Sequence, residues 1–211
     1  MDARKLPIYI LIDTSGSMRG TPIEAVKTGL KALLSSLRKD SYALETAHVS
    51  VIRFDREASV LLPMTPVATA TLPDIPELQS SPTNLGEALE LMCSRYRAEV
   101  RTPGPASEGD WLPVALVMTD GAPSDTLLFN NMCEAMKGFG FSRIIGCAAG
   151  PKARQEPLRR FCTEVVTLES LDANSFSKFW EWASQTFASQ SRGNLIVTDD
   201  LPPPPPEMKF V

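Results

Sequence analysis

The sequence is short of the residues that build most zinc sites and catalytic dyads. His48 is the only histidine among 211 residues, and the four cysteines, at positions 93, 133, 147 and 162, are far apart. No two of them stand in a Cys-x-x-Cys pair, so the spacing of metal ligands is absent. His48 lies inside a predicted strand and is interpreted as packed or surface-exposed. Scattered cysteines also argue against a disulfide framework, so we predict four free thiols in a reduced, cytoplasmic protein.

Long apolar runs and an excess of positive charge are also missing. No apolar run approaches the roughly 20 residues that a membrane-spanning helix needs. The formal net charge is −4, whereas binding to nucleic acid calls for a basic face. Met1–Pro7 leads directly into a strand-like run, without the apolar region and cleavage site of a signal peptide. We therefore expect neither a membrane nor a nucleic acid among the partners of this chain.

Short apolar segments alternate with helical patterns along the chain. Four nearly continuous apolar runs suit strands that are covered on both faces, and they span residues 7–12, 113–118, 143–149 and 164–168. Residues 47–54 and 58–62 predict a hairpin whose second strand is short and at an edge. The alternation predicts a doubly wound α/β domain with a mostly parallel six-stranded sheet, in the order 3-2-1-4-5-6, and helices on both faces.

Apolar residues at helical spacing predict four helices, over residues 23–37, 85–96, 127–139 and 174–187. Before the second of them, Glu87 stands where it would complete an N-terminal cap begun by Asn84. The segments Met64–Pro82 and Thr102–Asp110 show no clear period and are interpreted as surface loops.

The end of the chain carries a run of five prolines, Pro202–Pro206, which predicts extended polyproline II structure. We therefore divide the chain into a domain over residues 1–190 and a proline-rich tail over residues 191–211. The tail is interpreted as a stiff linker, with a docking ligand for a groove as the alternative. Because polyproline has no apolar face to bury, removing Pro202–Val211 is expected to leave the fold intact.

Oxygen-bearing side chains follow the first apolar run at every second position. They are Asp13, Ser15 and Ser17, and Gly16 between the serines permits a tight turn. In a doubly wound sheet, ligands bind at the carboxyl ends of the strands. One carboxylate with two hydroxyls is a hard oxygen cluster, suited to Mg²⁺, Mn²⁺ or Ca²⁺ and poorly suited to zinc.

Two further oxygen ligands are predicted at the same place. The run at 113–118 ends in Thr119-Asp120-Gly121, and in the expected strand order Asp120 faces Asp13. Thr83 stands just before a predicted helix, where a loop can bring its hydroxyl to the ion. Taken singly, each residue has an ordinary explanation as a cap or a turn. Their combination, in this order along the chain, is much rarer and predicts a metal site.

These residues resemble a known motif. Asp13-Thr-Ser-Gly-Ser-Met18, Thr83 and Thr119-Asp120-Gly121 are similar to the metal-ion-dependent adhesion site (MIDAS) of von Willebrand factor A domains, such as the inserted domains of integrins. The resemblance extends from about Pro7 to Phe187. It implies a Rossmann-like fold of the von Willebrand A type and a role in binding other proteins.

The resemblance also implies a role for each residue of the motif. Ser15, Ser17 and Thr83 would ligate the divalent cation directly, whereas Asp13 and Asp120 would act through water. The chain matches the motif at all five positions.

A narrower resemblance concerns the bacterial TerY-type proteins of tellurite-resistance operons. It is carried by Leu6–Gly20, Pro22–Val26, Ala43–Thr46 and the proline-rich end. That family is associated with a PP2C-type protein phosphatase and a protein kinase, so the resemblance implies such partners and a stress-response phosphorylation system. Some relatives carry an additional zinc module, which the scattered cysteines here do not support.

Three functions remain open at this stage. The first is a non-enzymatic module that binds an acidic side chain of a partner protein through a divalent cation, with Mg²⁺ preferred. The second is a metal-dependent phosphohydrolase of the haloacid-dehalogenase type, but its Asp-x-Asp pattern would need an acid at Ser15. The third is a scaffold whose metal site is unused. Neither a P-loop nor a Gly-x-Gly-x-x-Gly sequence occurs, so nucleotide enzymes lose support.

Overall fold

Seven strands form a single sheet in the order β3-β2-β1-β4-β5-β6-β7. The computed structural model describes residues 4–75, 81–105, 108–151, 153–170, 172–191, 202–206 and 208–211. The strands are β1 (Leu6–Asp13), β2 (Ala47–Phe54), β3 (Ala58–Pro66), β4 (Val114–Thr119), β5 (Arg143–Ala149), β6 (Glu164–Leu168) and β7 (Met208–Phe210). The five central strands run parallel to one another, and the edge strands β3 and β7 are antiparallel to their neighbours. The predicted fold class is confirmed.

Within the described residues, five α-helices cover the two faces of this sheet: α1 (Thr21–Leu37), α2 (Ser41–Thr46), α3 (Leu85–Glu99), α4 (Thr126–Met136) and α5 (Ala173–Ser191). The four long helices lie where the apolar spacing predicts them, within a few residues at each end. The short helix α2 was not predicted. It begins after Asp40, whose side chain accepts a hydrogen bond from the Ala43 N–H.

Strand β1 lies between two separate apolar cores, one on each face of the sheet. Every residue of Leu6–Asp13 is buried, as expected for a strand covered on both sides. Ile8, Ile10 and Ile12 pack in the core beneath α1 and α5, whereas Tyr9 and Leu11 pack in the core beneath α3 and α4. This alternation explains why the sequence shows a continuous apolar run rather than a polar–apolar pattern.

The edges of the sheet differ from the prediction. Strand β3 extends to Pro66, so the predicted loop Met64–Pro82 begins later, and its residues 76–80 lie outside the described part of the chain. At the other edge, β7 adds a seventh strand, with Val166, Thr167 and Leu168 opposite Phe210, Lys209 and Met208.

The C-terminal segment therefore packs on the domain, which contradicts the expectation that it buries no apolar face. Met208 is 3% exposed and belongs to the core beneath α1 and α5. The Trp182 Nε1–H of α5 donates a hydrogen bond to the Pro202 carbonyl at 2.8 Å, and its ring contacts that of Phe210. The domain boundary placed between residues 190 and 191 stays a prediction, because residues 192–201 lie outside the described part.

Two sequence predictions about the whole chain can be compared with the structure. All four cysteines are free, as predicted; Cys93, Cys133 and Cys147 are buried and Cys162 is partly exposed. Among the residues that the structure describes, no helix is both long and apolar enough to span a bilayer.

Candidate metal centre

The strand order reverses between β1 and β4, and this switch point lies beside Asp13. Strands β2 and β3 lie on one side of β1 and the later strands lie on the other side, so the carboxyl ends of β1 and β4 open a crevice of the kind in which doubly wound folds bind ligands. Ile12 of β1 lies opposite Met118 of β4, which places the next residues, Asp13 and Thr119, at the mouth of the crevice.

Asp13 is fully buried, and each of its carboxylate oxygens accepts a hydrogen bond from a neutral donor. The Ser15 backbone N–H donates to Oδ1 at 2.8 Å, and the Thr119 hydroxyl donates to Oδ2 at 2.6 Å. Gly121 N–H in turn donates to the Thr119 oxygen at 3.1 Å. These contacts fix the carboxylate in one orientation between the two loops.

Within the described residues, no cationic side chain forms an ion pair with this carboxylate. Burial, together with a smaller effect of the neighbouring Asp120, raises the pKa of Asp13 from 3.8 to about 6, although hydrogen bonds from Ser15 and Thr119 act in the opposite direction. No lysine or arginine is among the main groups that shift this pKa. A buried carboxylate without a cation is costly to ionise, so the site favours a bound cation.

Ser17 and Asp120 connect the loop after β1 to the loop after β4. The Ser17 hydroxyl donates a hydrogen bond to Asp120 Oδ1 at 2.8 Å, and the Ser15 and Ser17 hydroxyl oxygens are 3.2 Å apart. Burial raises the pKa of Asp120 as well, against the effect of the Ser17 hydrogen bond. Two carboxylates and two hydroxyls therefore converge at one end of the sheet.

Thr83 lies beside the same loop, immediately before α3. Its Oγ1 would be 3.1 Å from a Cβ atom added at Gly121, so the two loops are in close contact there. Thr83 and Ser124 exchange two hydrogen bonds, from Thr83 N–H to the Ser124 hydroxyl at 3.0 Å and from Ser124 N–H to the Thr83 carbonyl at 2.8 Å. The structure thus brings together all five predicted site residues, and their role as metal ligands stays a prediction.

The cap of α3 is provided by a different residue from the one predicted. Asn84 occupies the N-cap position, but its side chain makes no capping hydrogen bond and donates instead to the Arg56 carbonyl. The carboxylate of Asp125, from the loop before α4, accepts from Gly86 N–H at 3.1 Å and Glu87 N–H at 2.8 Å. Asp125 therefore holds the helix that follows Thr83 against the loop that carries Asp120.

We expect Asp125→Ala to weaken both the fold and the cation site. It leaves two N–H groups of α3 without their partner, and the loss of such a cap lowers the free energy of unfolding by about 1–2 kcal/mol. Cation affinity should fall several-fold because the Thr83 loop is no longer fixed. Thermal melts and cation titration measure the two effects. Asn84→Ala is the matched control, and an equal loss in that variant would contradict the role given to Asp125.

Asp55 is a further residue of this edge that the sequence analysis missed. It is 3% exposed, directly follows β2, and accepts a hydrogen bond from the Thr14 hydroxyl at 2.8 Å. Its carboxylate also accepts from Ser81 Oγ at 3.4 Å, and its carbonyl accepts from Asn84 N–H at 2.8 Å. Asp55 thus links the loop of Asp13 to the loop of Thr83. The sequence feature that could have predicted Asp55 is a carboxylate directly after a third buried strand.

The centre depends on hydroxyl oxygens as much as on carboxylates. Within the described parts of the chain, no three His, Cys, Asp or Glu side chains group together as a metal cage. Two aspartates, two serines and a threonine form a hard oxygen set, which fits Mg²⁺, Mn²⁺ or Ca²⁺.

Comparison with known proteins agrees with this geometry. A family model described as the von Willebrand factor type A domain matches residues 8–178. The chain belongs to this family. Domains of this family commonly bind a metal at a MIDAS site and act in protein–protein interaction, and they are generally not enzymes. A comparison with curated protein sequences gives no match.

Solved structures of von Willebrand A domains share the fold at low sequence identity. One from Catenulispora acidiphila has a TM-score of 0.63 and 17% identity over 90% of this chain and 43% of its own. The pilus adhesin SpaC from Lactobacillus rhamnosus GG, in an open conformation, has a TM-score of 0.67 and 12% identity over 89% of this chain and 30% of its own.

A third similar structure bears on the choice of metal. Proximal thread matrix protein 1 from the mussel byssus, with a zinc-occupied MIDAS motif, has a TM-score of 0.62 and 15% identity over 88% of this chain and 48% of its own. The chain thus spans less than half of these larger proteins. The expectation that oxygen clusters of this kind are poorly suited to zinc does not hold for that protein.

Thr83→Ala offers a direct test of Thr83 as a ligand of the candidate metal centre. Removal of one hydroxyl leaves a position that water can take, so cation affinity should fall by about ten-fold rather than disappear. Isothermal titration with Mn²⁺ measures the change. Thr83→Ser, which keeps the hydroxyl, should remain close to the unmodified chain. If Thr83→Ala binds the cation as tightly as Thr83→Ser, Thr83 is not a ligand.

Proposed function

We propose that this von Willebrand A domain binds a partner protein through a divalent cation held at Asp13, Ser15, Ser17, Thr83 and Asp120. The observation that carries the proposal is the buried Asp13 carboxylate, which lies among hydroxyl groups and forms no ion pair with a cationic side chain of the described residues. Ser15, Ser17 and Thr83 would ligate the cation directly, and Asp13 and Asp120 would hold it through water.

The chemistry of the ligands favours binding rather than turnover. Neutral hydroxyls leave most of the charge on a cation, so it attracts an additional anionic ligand, for which the partner supplies an Asp or Glu carboxylate. His48, the only histidine, lies near the start of β2, at the opposite end of the sheet from Asp13. This arrangement supports a non-enzymatic module over a phosphohydrolase.

We propose Mg²⁺ as the resident cation, since the oxygen set suits it, with Mn²⁺, Ca²⁺ and zinc as alternatives for the titration to compare. The resemblance of Leu6–Gly20 and Pro22–Val26 to TerY-type proteins supports a role in a bacterial tellurite-resistance and stress-response phosphorylation system. Its partners there would be a PP2C-type phosphatase and a protein kinase. Four free thiols support a cytoplasmic location.

The partner test uses the purified chain with a purified PP2C-type phosphatase or protein kinase of a tellurite-resistance operon. Capture of the partner should require Mg²⁺, and it should be lost when a chelator is added or when Asp13 is replaced in Asp13→Asn. A chelator should cause no further loss of capture in the Asp13→Asn variant. Exchange of candidate acidic residues of the partner for their amides should identify one on which binding depends. Capture that persists at full strength in chelator and in Asp13→Asn would show that another face of the domain carries the contact.

A further inference from the structure

A cleft opens beside the metal centre, between α4 and the segment 154–160. It has a volume of about 570 Å³. Ala122 and Pro123 form one wall, and Ala122 lies two residues after Asp120 in the same loop. Since consecutive Cα atoms are 3.8 Å apart, the wall begins within about 8 Å of Asp120. One extended peptide can therefore reach both the metal centre and the cleft.

The cleft is positively charged, although the chain as a whole carries a net charge of −4. Arg154 and Arg160 line it, against one acidic residue, Glu156. Within the described parts of the chain, neither arginine forms an ion pair with an acidic side chain. The charge of Arg160 helps to lower the pKa of Glu134 without a direct ion pair, so its N–H donors remain available to a ligand.

Contacts with neutral groups hold Arg160 in place. Its guanidinium lies 5.1 Å from the centroid of the Phe129 ring, and its Nη1 donates to Asn130 Oδ1. Both neighbours also line the cleft. A guanidinium has five N–H donors in a fixed plane, so this single hydrogen bond leaves donors for a carboxylate, which it can bind in a bidentate manner.

We propose that the cleft binds a second acidic side chain of the partner segment whose first acidic side chain reaches the cation. This inference rests on the proposed function and adds the chemistry of the partner: an extended segment with two acidic residues about two to four positions apart. Arg160 is the principal contact for the second acid, and Arg154 contributes positive charge. Two linked contacts bind more tightly than either alone because the second is intramolecular.

A random peptide library displayed on phage provides the probe. The library is selected on the full chain in Mg²⁺, and bound phage are eluted with EDTA. An eluted sequence is synthesised with a fluorescent label, alongside versions in which each acid is replaced by its amide. Dissociation constants are then measured for the unmodified chain, Arg160→Gln, Asp13→Asn and Arg159→Gln. Arg159 is the matched control because it is exposed, pairs with Gln155 and does not line the cleft.

The eluted sequences should contain two acidic residues at a consistent separation. Arg160→Gln should weaken the two-acid peptide about ten-fold and the version without the second acid less than two-fold, while Arg159→Gln changes neither. Equal losses of peptide affinity in Arg160→Gln and Arg159→Gln would overturn the inference and leave the proposed function intact. The same holds if Arg160→Gln weakens the peptides with and without the second acid equally. Binding that survives EDTA and Asp13→Asn, or a selection without EDTA-eluted sequences, would overturn the proposed function and the inference with it.

Discussion

Replacement of Asp13 by asparagine is expected to stabilise the metal-free domain at neutral pH while it removes the cation site. Burial of the carboxylate without a cation raises its pKa from 3.8 to about 6. That rise corresponds to about 3 kcal/mol of lost stability at pH 7.5. An asparagine has nearly the same shape, keeps the acceptor for Ser15 N–H and carries no charge. We expect a gain of about 2 kcal/mol, or about 4–8 °C in melting temperature.

The pH dependence of this gain follows from the direction of the shift. An aspartate whose pKa is raised on folding destabilises the native state by an amount that grows as the pH rises from 3.8 to about 6 and is complete above that range. Below its unfolded value of 3.8 the penalty disappears, because the carboxyl is then protonated in both states. Thermal melts in EDTA should therefore show a higher melting temperature for Asp13→Asn than for the unmodified chain at pH 7.5. The difference in melting temperature should shrink towards pH 4.

Saturating Mg²⁺ should reverse the order of the two proteins. A cation that binds only the folded state adds stability that grows with the logarithm of its concentration, and Asp13→Asn lacks this contribution. A lower melting temperature for Asp13→Asn than for the unmodified chain, in EDTA at pH 7.5, would contradict the claim that the buried Asp13 charge destabilises the metal-free domain.

Asp110 provides a matched control, because it is a buried aspartate that does have cationic partners. It is 5% exposed, and although burial raises its pKa, hydrogen bonds from Arg101 and the charge of Lys5 lower it overall. Its Oδ1 accepts from Arg101 Nη2 at 2.7 Å. A lowered pKa contributes stability that is present at neutral pH and lost in acid. Asp110→Asn should therefore destabilise the domain under the conditions in which Asp13→Asn stabilises it.

Deletion of residues 202–211 is expected to lower the free energy of unfolding by about 3 kcal/mol. Burial of Met208, which is 3% exposed, accounts for about 2 kcal/mol of this. The hydrogen bond from Trp182 to the Pro202 carbonyl adds about 1 kcal/mol. The melting temperature should fall by about 6–12 °C. Differential scanning calorimetry of the full and shortened chains measures the difference.

Single substitutions separate the contributions of the tail. Met208→Ala should reproduce most of the loss, since it removes the buried side chain. Lys209→Ala is the control, because the exposed ion pair of Lys209 with Glu169 contributes little in water. An unchanged melting temperature in the shortened chain would restore the sequence-based view that the proline-rich end packs on nothing.

The central strands were predictable because burial on both faces leaves a continuous apolar run in the sequence. Strand β1 is the clearest example, with all eight residues buried. Strand β7 was missed because it has three residues, only one of them buried, and only one residue separates it from a proline run. An edge strand of this kind depends on its partner β6, and a pattern of three residues cannot show that pairing.

The cluster of candidate ligands was predictable to the extent that its residues lie at the ends of strands. Asp13 is the last residue of β1 and Asp120 directly follows β4, so the strand order alone brings them together. The supporting contacts could not be predicted in this way. Asp125 caps a helix that begins 40 residues earlier in the chain, and a local capping pattern at Asn84 pointed to the wrong residue.

Calorimetric titration of the metal-free chain with Mg²⁺ and Mn²⁺ tests the central claim most directly. The account predicts one cation per chain, weaker binding in Thr83→Ala and no binding in Asp13→Asn, with both variants folded. Lack of binding by the unmodified chain, or the same stoichiometry and affinity in Asp13→Asn, would contradict a cation at the carboxyl ends of β1 and β4.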